Sequence, residues 1–263
     1  MIDLHTHILP GMDDGPRQME EALAMCRIAA DDGITAVVAS PHMFNGMFNV
    51  TRDDILAGVK RLSERIRMEA IPLAVKPGAD VWAMPNLTRL LREGAVMTVG
   101  DRGKYLMVEL PYDVLPLGLS QLLFSIQLQG ITPILSHPER NLTVQADPLL
   151  MTGFVEAGNL VQLTAASVTG DFGEHAQKCA FALLAARLAH LIASDAHSPD
   201  KRPPGLSRAL TVVGELLPIE EVDDIFLHRP LRVLAGEYVD LPEPIRSIPI
   251  KKRLFSLKVP ARM

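Results

Sequence analysis

Five of the chain's eight histidines stand beside carboxylates at the ends of short apolar runs. His5 and His7 flank Thr6 in the first run. A strand points residues i and i+2 to one face, so both imidazoles can converge on one ion. Later runs end in Pro41-His42, in Pro77-Gly78-Ala79-Asp80, at Glu109, in Ser136-His137-Pro138 and in Asp195-Ala196-His197, a second i, i+2 pair. The loop after the first run adds Asp13 and Asp14, followed by Gly15. Taken singly, a strand-end histidine is usually a hydrogen-bonded core or rim residue, and a lone aspartate is usually a helix N-cap. The conjunction points elsewhere. Carboxylates crowded on one rim repel one another, and divalent cations resolve that conflict.

His5, His7, Asp14, His42, Asp80, Glu109, His137, Asp195 and His197 are more ligands than one ion needs. Nitrogen and oxygen ligands without thiolate suit zinc, manganese or iron. Two or three ions close together would create a bridged hydroxide, a nucleophile suited to phosphate esters. Arg140, within HPER, and Arg202, within SPDKRPP, offer planar forks for phosphate oxygens from loops at the same rim. His175, His190 and His228 fall outside the pattern.

These side chains need a scaffold that brings strand ends together. Apolar β-type runs are expected at 1–6, 34–40, 73–79, 105–110, 131–136, 160–165 and 190–195, near-continuous as in strands covered on both faces. Helical patterns fill 18–32, 51–69, 117–130, 147–158 and 173–188, and Gly33, Gly94, Gly130 and Gly158 fit C-terminal caps. Repeated βα units imply a parallel sheet, and seven suggest a closed or nearly closed barrel, with a doubly wound open sheet as the competing architecture. In a barrel every strand's C-terminal end lies on one rim, where such enzymes place their chemistry. A helical region follows residue 202. The barrel unit is assigned to 1–240, and 241–263 is a basic, proline-punctuated tail. That tail reads as solvated, with contact to an anionic surface as the alternative.

The 263 residues carry a net charge of −5, which argues against a nucleic-acid partner. Neither a signal peptide nor a membrane span is expected, since no apolar run reaches about 18 residues. Cys26 and Cys179 read as core fillers of a reduced, cytoplasmic protein. Neither opens a thiol phosphatase loop, because Asp32 and Ala185 stand where such a loop needs arginine.

HxH near the N-terminus, HPER and the closing SDAH resemble the PHP (polymerase and histidinol phosphatase) superfamily. The fuller series HTHILPGMDDG, GITAVVASPH, KYLMVELP, SHPERN and ASDAHSPDKRP is similar to one branch, the bacterial manganese-dependent protein-tyrosine phosphatases encoded with capsule and exopolysaccharide genes. The likeness runs in order over roughly residues 1–205. It implies an α/β fold, a distorted (β/α)7 TIM-like barrel, with a three-metal centre: manganese first, iron or zinc as alternatives. It further implies one ion on His5, His7, Asp80 and Asp195, a second on Asp80, Glu109 and His137, and a third on Asp14, His42 and His197. Arg140 and Arg202 match the family's phosphate-binding arginines. The implied substrate is phosphotyrosine on a tyrosine kinase of polysaccharide assembly. The family usually carries glutamate at the position of Asp80, and aspartate is one methylene shorter.

Two other readings share these residues. A small-molecule phosphatase, such as one for histidinol phosphate, would differ only in the rim segments 43–52 and 111–118, where Phe44, Phe48, Tyr112 and Leu115 could meet a substrate ring. A non-catalytic metal-binding regulatory module would bind ions and hydrolyse nothing.

Overall fold

A computed structural model describes residues 1–245. Nine short strands form two parallel sheets: β1 (Ile2–Thr6), β2 (Ala36–Ala39), β3 (His42–Met43), β4 (Ala74–Pro77), β5 (Asp80–Trp82), β6 (Tyr105–Glu109), β7 (Thr132–Ser136), β8 (Leu160–Thr164) and β9 (Leu191–Ala193). One sheet has the order β1-β2-β4, the other β3-β5-β6-β7-β8-β9. Two expected strands are therefore broken. The run 34–40 bends at Ser40-Pro41 and resumes as β3, because proline cannot donate to the ladder. The run 73–79 bends at Gly78-Ala79 and resumes as β5. Each bend hands the chain from the first sheet to the second, so seven strand runs make up nine strands.

The architecture is the expected distorted (β/α)7 TIM-like arrangement. The end of β1 meets the residues just after β9 through one isolated parallel bridge, Thr6 with Ala196, not through a continuous ladder. Two backbone hydrogen bonds reinforce it, His7 N to Ala196 O at 2.8 Å and Asp195 N to His5 O at 2.9 Å.

Helices connect the strands, including Met19–Asp31, Arg52–Met68, Leu119–Gln127 and Glu174–Ala185. The second starts in a capping box, Thr51 accepting from Asp54 N while the Asp54 side chain accepts from Thr51 N. Gly33, Gly94, Gly130 and Gly158 all have positive φ, the conformation of helix-ending caps. The segment 147–158 is a 3₁₀ turn, Pro148–Leu150, leading into a short helix, Met151–Glu156.

Tyr105, Met107, Ile134, Leu160 and Leu191 pack together in an apolar cluster. By the two-residue period, Met107 shares its strand face with Glu109, Ile134 with Ser136, and Leu160 with Gln162. An apolar floor thus underlies a polar rim. Leu241 packs against the same floor, and Ile245 N donates to Ala186 O at 2.8 Å, so residues 241–245 remain tied to the barrel. The tail's basic residues Arg246, Lys251, Lys252, Arg253, Lys258 and Arg262 lie outside the described residues.

Candidate metal centre

The strand ends deliver their polar side chains to one place. His5 lies at the end of β1 and His7 just past it, and parallel register sets His42 of β3 opposite Asp80 of β5. Glu109 ends β6, His137 follows β7, and Asp195 and His197 follow β9. His137 and Asp195 adopt left-handed backbone, with φ of 36° and 52°. Such conformations are unfavourable for residues with a Cβ and persist where surrounding structure enforces them. All nine expected ligands fall into four overlapping groups: His7, Asp14, His42 and His197; His5, His7 and Asp80; His5, His137 and Asp195; and His42, Asp80 and Glu109. Glu109 thus keeps company with His42 as well as Asp80.

The spacing suits ions. Ligand atoms about 2.1 Å from one ion, at tetrahedral or octahedral angles, stand roughly 3.0–3.4 Å apart. His5 Nε2 is 3.1 Å from His7 Nε2 and 3.5 Å from Asp195 Oδ1, and His7 Nε2 is 3.4 Å from that same oxygen. Asp80 Oδ2 lies 3.6 Å from His5 Nε2 and 3.5 Å from His137 Nε2. Asp14 Oδ1 lies 3.4 Å from His197 Nε2 and 3.7 Å from His42 Nε2.

Three buried atoms, His42 Nδ1, Asp80 Oδ2 and Glu109 Oε2, have no hydrogen-bond partner. His42 Nδ1 and Glu109 Oε2 are 3.0 Å apart, yet their alignment makes no hydrogen bond. Buried polar atoms are ordinarily satisfied. A trio facing one another at 3.0 and 3.9 Å from His42 Nδ1, without an aligned hydrogen bond, is the donor set a divalent cation fits. Asp80, despite its shorter side chain, reaches this point while Ser136 Oγ donates to its other oxygen at 2.7 Å.

Electrostatics agree with that geometry. Burial pulls His5 down to about 4, against the pull of Asp80 and Asp195, so its imidazole is neutral and able to ligate. Burial also opposes charge on His7, but Asp13 and Asp195 outweigh it and lift that group to about 10. Carboxylates that favour a proton on His7 favour a cation there by the same attraction. Asp80 and Asp195 are held below the usual carboxylate range although burial opposes it, Asp80 by His5 and His137, and Asp195 by His5, His7, His137 and Arg202.

Several supporting residues lie outside the nine expected ligands. Asp13 Oδ2 sits 2.6 Å from His7 Nδ1 and accepts from His42 N at 3.0 Å. Gln162 Oε1 sits 2.9 Å from His5 Nδ1. Asp3 is buried and accepts from Ser194 N, His5 N and Thr6 Oγ1, tying β1 to the end of β9. Glu139, buried beside His137, accepts from Thr164 N and so anchors the HPER turn.

Arg140 and Arg202 both arrive at the rim, donating to Asp195 Oδ2 at 2.7 and 2.6 Å. A cavity of about 130 Å³ on the Arg140 side is lined by Trp82, Glu109, Tyr112, His137 and Arg140. A larger one, about 780 Å³, lies along Met43, Phe44, Phe48 and Met84, and the Phe48 ring runs parallel to His42 with centroids 6.1 Å apart. His175 and His228 are exposed, and buried His190 accepts from Val161 N, so the three stay outside the centre. Cys26 and Cys179 are free and buried, and burial raises both thiols, Cys26 to about 12, which removes them as thiolate nucleophiles.

Relatives carry the same fold. The chain is 35% identical over 213 residues to tyrosine-protein phosphatase YwqE of Bacillus subtilis (strain 168), spanning 81% of this chain and 84% of that protein. It is 26% identical over 248 residues to tyrosine-protein phosphatase CpsB of Streptococcus pneumoniae, spanning 91% and 100%. A chain from the crystal structures of YwqE and CpsB, described as unique metal-dependent tyrosine phosphatases, superposes with a TM-score of 0.88 at 31% identity, covering 93% of this chain and 98% of the other. The family model for capsular polysaccharide synthesis, CpsB/CapC, matches residues 1–235, so the barrel and its whole polar rim fall within the match and the chain belongs to the CpsB/CapC family.

Proposed function

We propose that this chain is a metal-dependent protein-tyrosine phosphatase whose ions are held by His5, His7, Asp14, His42, Asp80, Glu109, His137, Asp195 and His197. The observation that carries the reading is the convergence of His42 Nδ1, Asp80 Oδ2 and Glu109 Oε2, buried without an aligned hydrogen bond, among ligand-spaced nitrogens and carboxylates. When bound, two or three divalent ions, manganese first, with iron or zinc as alternatives, would supply Lewis acidity and an activated water.

The chain's own residues do the rest. Arg140 and Arg202 spend one or two N–H groups each on Asp195, leaving the remaining donors for phosphate oxygens. They would gather the dianion and neutralise charge that grows on the equatorial oxygens during in-line displacement. The phenyl ring of phosphotyrosine would enter the cavity lined by Trp82 and Tyr112. Its volume of about 130 Å³ is near the roughly 150 Å³ of an apolar cavity that admits benzene.

We further read the substrate as a phosphotyrosine protein, a tyrosine kinase of polysaccharide assembly, met in the cytoplasm. Two unpaired, buried cysteines support a reducing compartment. Among the described residues no helix is long and apolar enough to cross a membrane.

The deciding experiment compares hydrolysis of a phosphotyrosine peptide and of histidinol phosphate by chelated enzyme and after Mn²⁺ is restored. Metal-restored turnover selective for the peptide is expected. Preference for histidinol phosphate would overturn the substrate, and turnover of neither would leave a metal-binding module.

A further inference from the structure

The segment Gly170–Gly173, between the helices Ala165–Thr169 and Glu174–Ala185, lies outside the set of nine yet touches both rim arginines. Cζ of Arg140 lies 5.0 Å from the centroid of the Phe172 ring, and Cζ of Arg202 lies 5.4 Å from it. Two guanidiniums side by side repel each other, and burial already disfavours the charge on Arg202. Both donate to one carboxylate oxygen, Asp195 Oδ2, with Arg202 also reaching Asp195 O at 2.8 Å, while Oδ1 of the same carboxylate faces His5 and His7. One shared carboxylate is thin support for two cations. The negative face of an aromatic ring is a second support, since its quadrupole attracts guanidinium.

The loop that carries the ring is held. Phe172 N donates to Ala166 O at 3.2 Å, and Gly173 N to Gly170 O at 3.0 Å. Gly173 sits at φ 90°, ψ 166°, a region open essentially to glycine alone. Asp171 between them accepts from Thr169 Oγ1 at 2.7 Å and from Arg208 at 2.9 Å.

We propose that Phe172 is a positioning residue for phosphate capture, its ring holding Arg140 and Arg202 at a fixed spacing so that both meet one phosphoryl group. The proposal rests on the reading of those arginines as phosphate ligands. It predicts a distinction between shape and π character. Phe172→Leu keeps an apolar, though shorter, side chain and removes the ring face, whereas Phe172→Tyr keeps the face.

The test uses full-length, manganese-loaded enzyme and measures inhibition by inorganic phosphate and kcat/KM on a phosphotyrosine peptide. Wild type is compared with Phe172→Leu, Phe172→Tyr and Arg140→Ala, with metal content and Tm recorded for each. Phe172→Leu is expected to weaken phosphate inhibition about tenfold and lower kcat/KM by a similar factor, on the scale of two lost cation–π contacts. Metal content and Tm should stay near wild type, and Phe172→Tyr should restore both readouts. Wild-type phosphate affinity in Phe172→Leu, with Arg140→Ala impaired, would overturn the positioning role and leave the arginine reading standing. Equal losses in the leucine and tyrosine variants would reduce Phe172 to a packing residue. No effect of Arg140→Ala would bring down both readings.

Discussion

His7 Nδ1 and Asp13 Oδ2 lie 2.6 Å apart, so His7 turns Nε2 to the centre while a carboxylate fixes its other nitrogen. The same carboxylate accepts from His42 N and, through its second oxygen, from Gly15 N. One residue therefore orients two of the proposed ligands without joining them. Asp13→Ala is expected to weaken metal affinity about ten- to hundredfold, the usual cost of losing such a partner. Metal titration of activity reads this directly, and excess Mn²⁺ should recover part of it. An unchanged titration midpoint would remove Asp13 from this role.

Removing a ligand should act differently from removing its support. His7→Ala and Asp195→Ala are expected to lose bound metal and turnover together, because each stands at ligand distance from two further members of the cluster. Metal analysis of the purified variants beside their turnover checks it. Full metal content in either variant would take that residue out of the ligand set.

Gly15 has no room for a side chain. A Cβ there would stand 2.5 Å from His7 O and 3.1 Å from Asp13 Oδ1. Gly15→Ala must therefore push apart the loop that carries Asp13 and Asp14 and the strand end that carries His7. A cost of about 1–3 kcal/mol is expected, lowering Tm by roughly 2–10 °C for a chain of this size. Weaker metal binding should accompany it. A melting curve identical to wild type would show that the loop has slack.

Burial, aided by the charge of Arg229, lowers His190 from 6.5 to about 3. Its Nδ1 accepts from Val161 N at 3.0 Å, and its Nε2 has no partner. The folded chain thus refuses a proton that the unfolded chain accepts below pH 6.5. The neutral imidazole's contribution is intact above that pH and is lost as pH falls toward about 3, at a slope of about 1.4 kcal/mol per unit. Denaturant unfolding of chelated protein between pH 6 and pH 4 should show a shallower pH dependence for His190→Gln than for wild type. Equal slopes would mean that His190 does not titrate across folding in this way.

Much of the rim is legible in the sequence because buried parallel strands read as apolar runs, and a histidine or carboxylate closing such a run stands out. His5, His7, His42, Asp80, Glu109, His137, Asp195 and His197 are visible for that reason. The helix-ending glycines were legible too, since positive φ is a local property that residue type reports. Less visible were the bends at Ser40-Pro41 and Gly78-Ala79, where a continuous run hides a change of sheet.

By itself, the amino-acid sequence determined which side chains are available at the strand ends and that their chemistry is nitrogen and carboxylate, without an activated thiol. Periodicity and residue type are local, so they survive without knowledge of neighbours. Only the tertiary structure decided who meets whom: His42 with Glu109, Asp13 beneath His7, and Arg140 and Arg202 together on Asp195 and the Phe172 ring. Those meetings depend on lateral register between strands and on the approach of loops remote in sequence. Barrel packing sets both, and no periodicity along one strand records them.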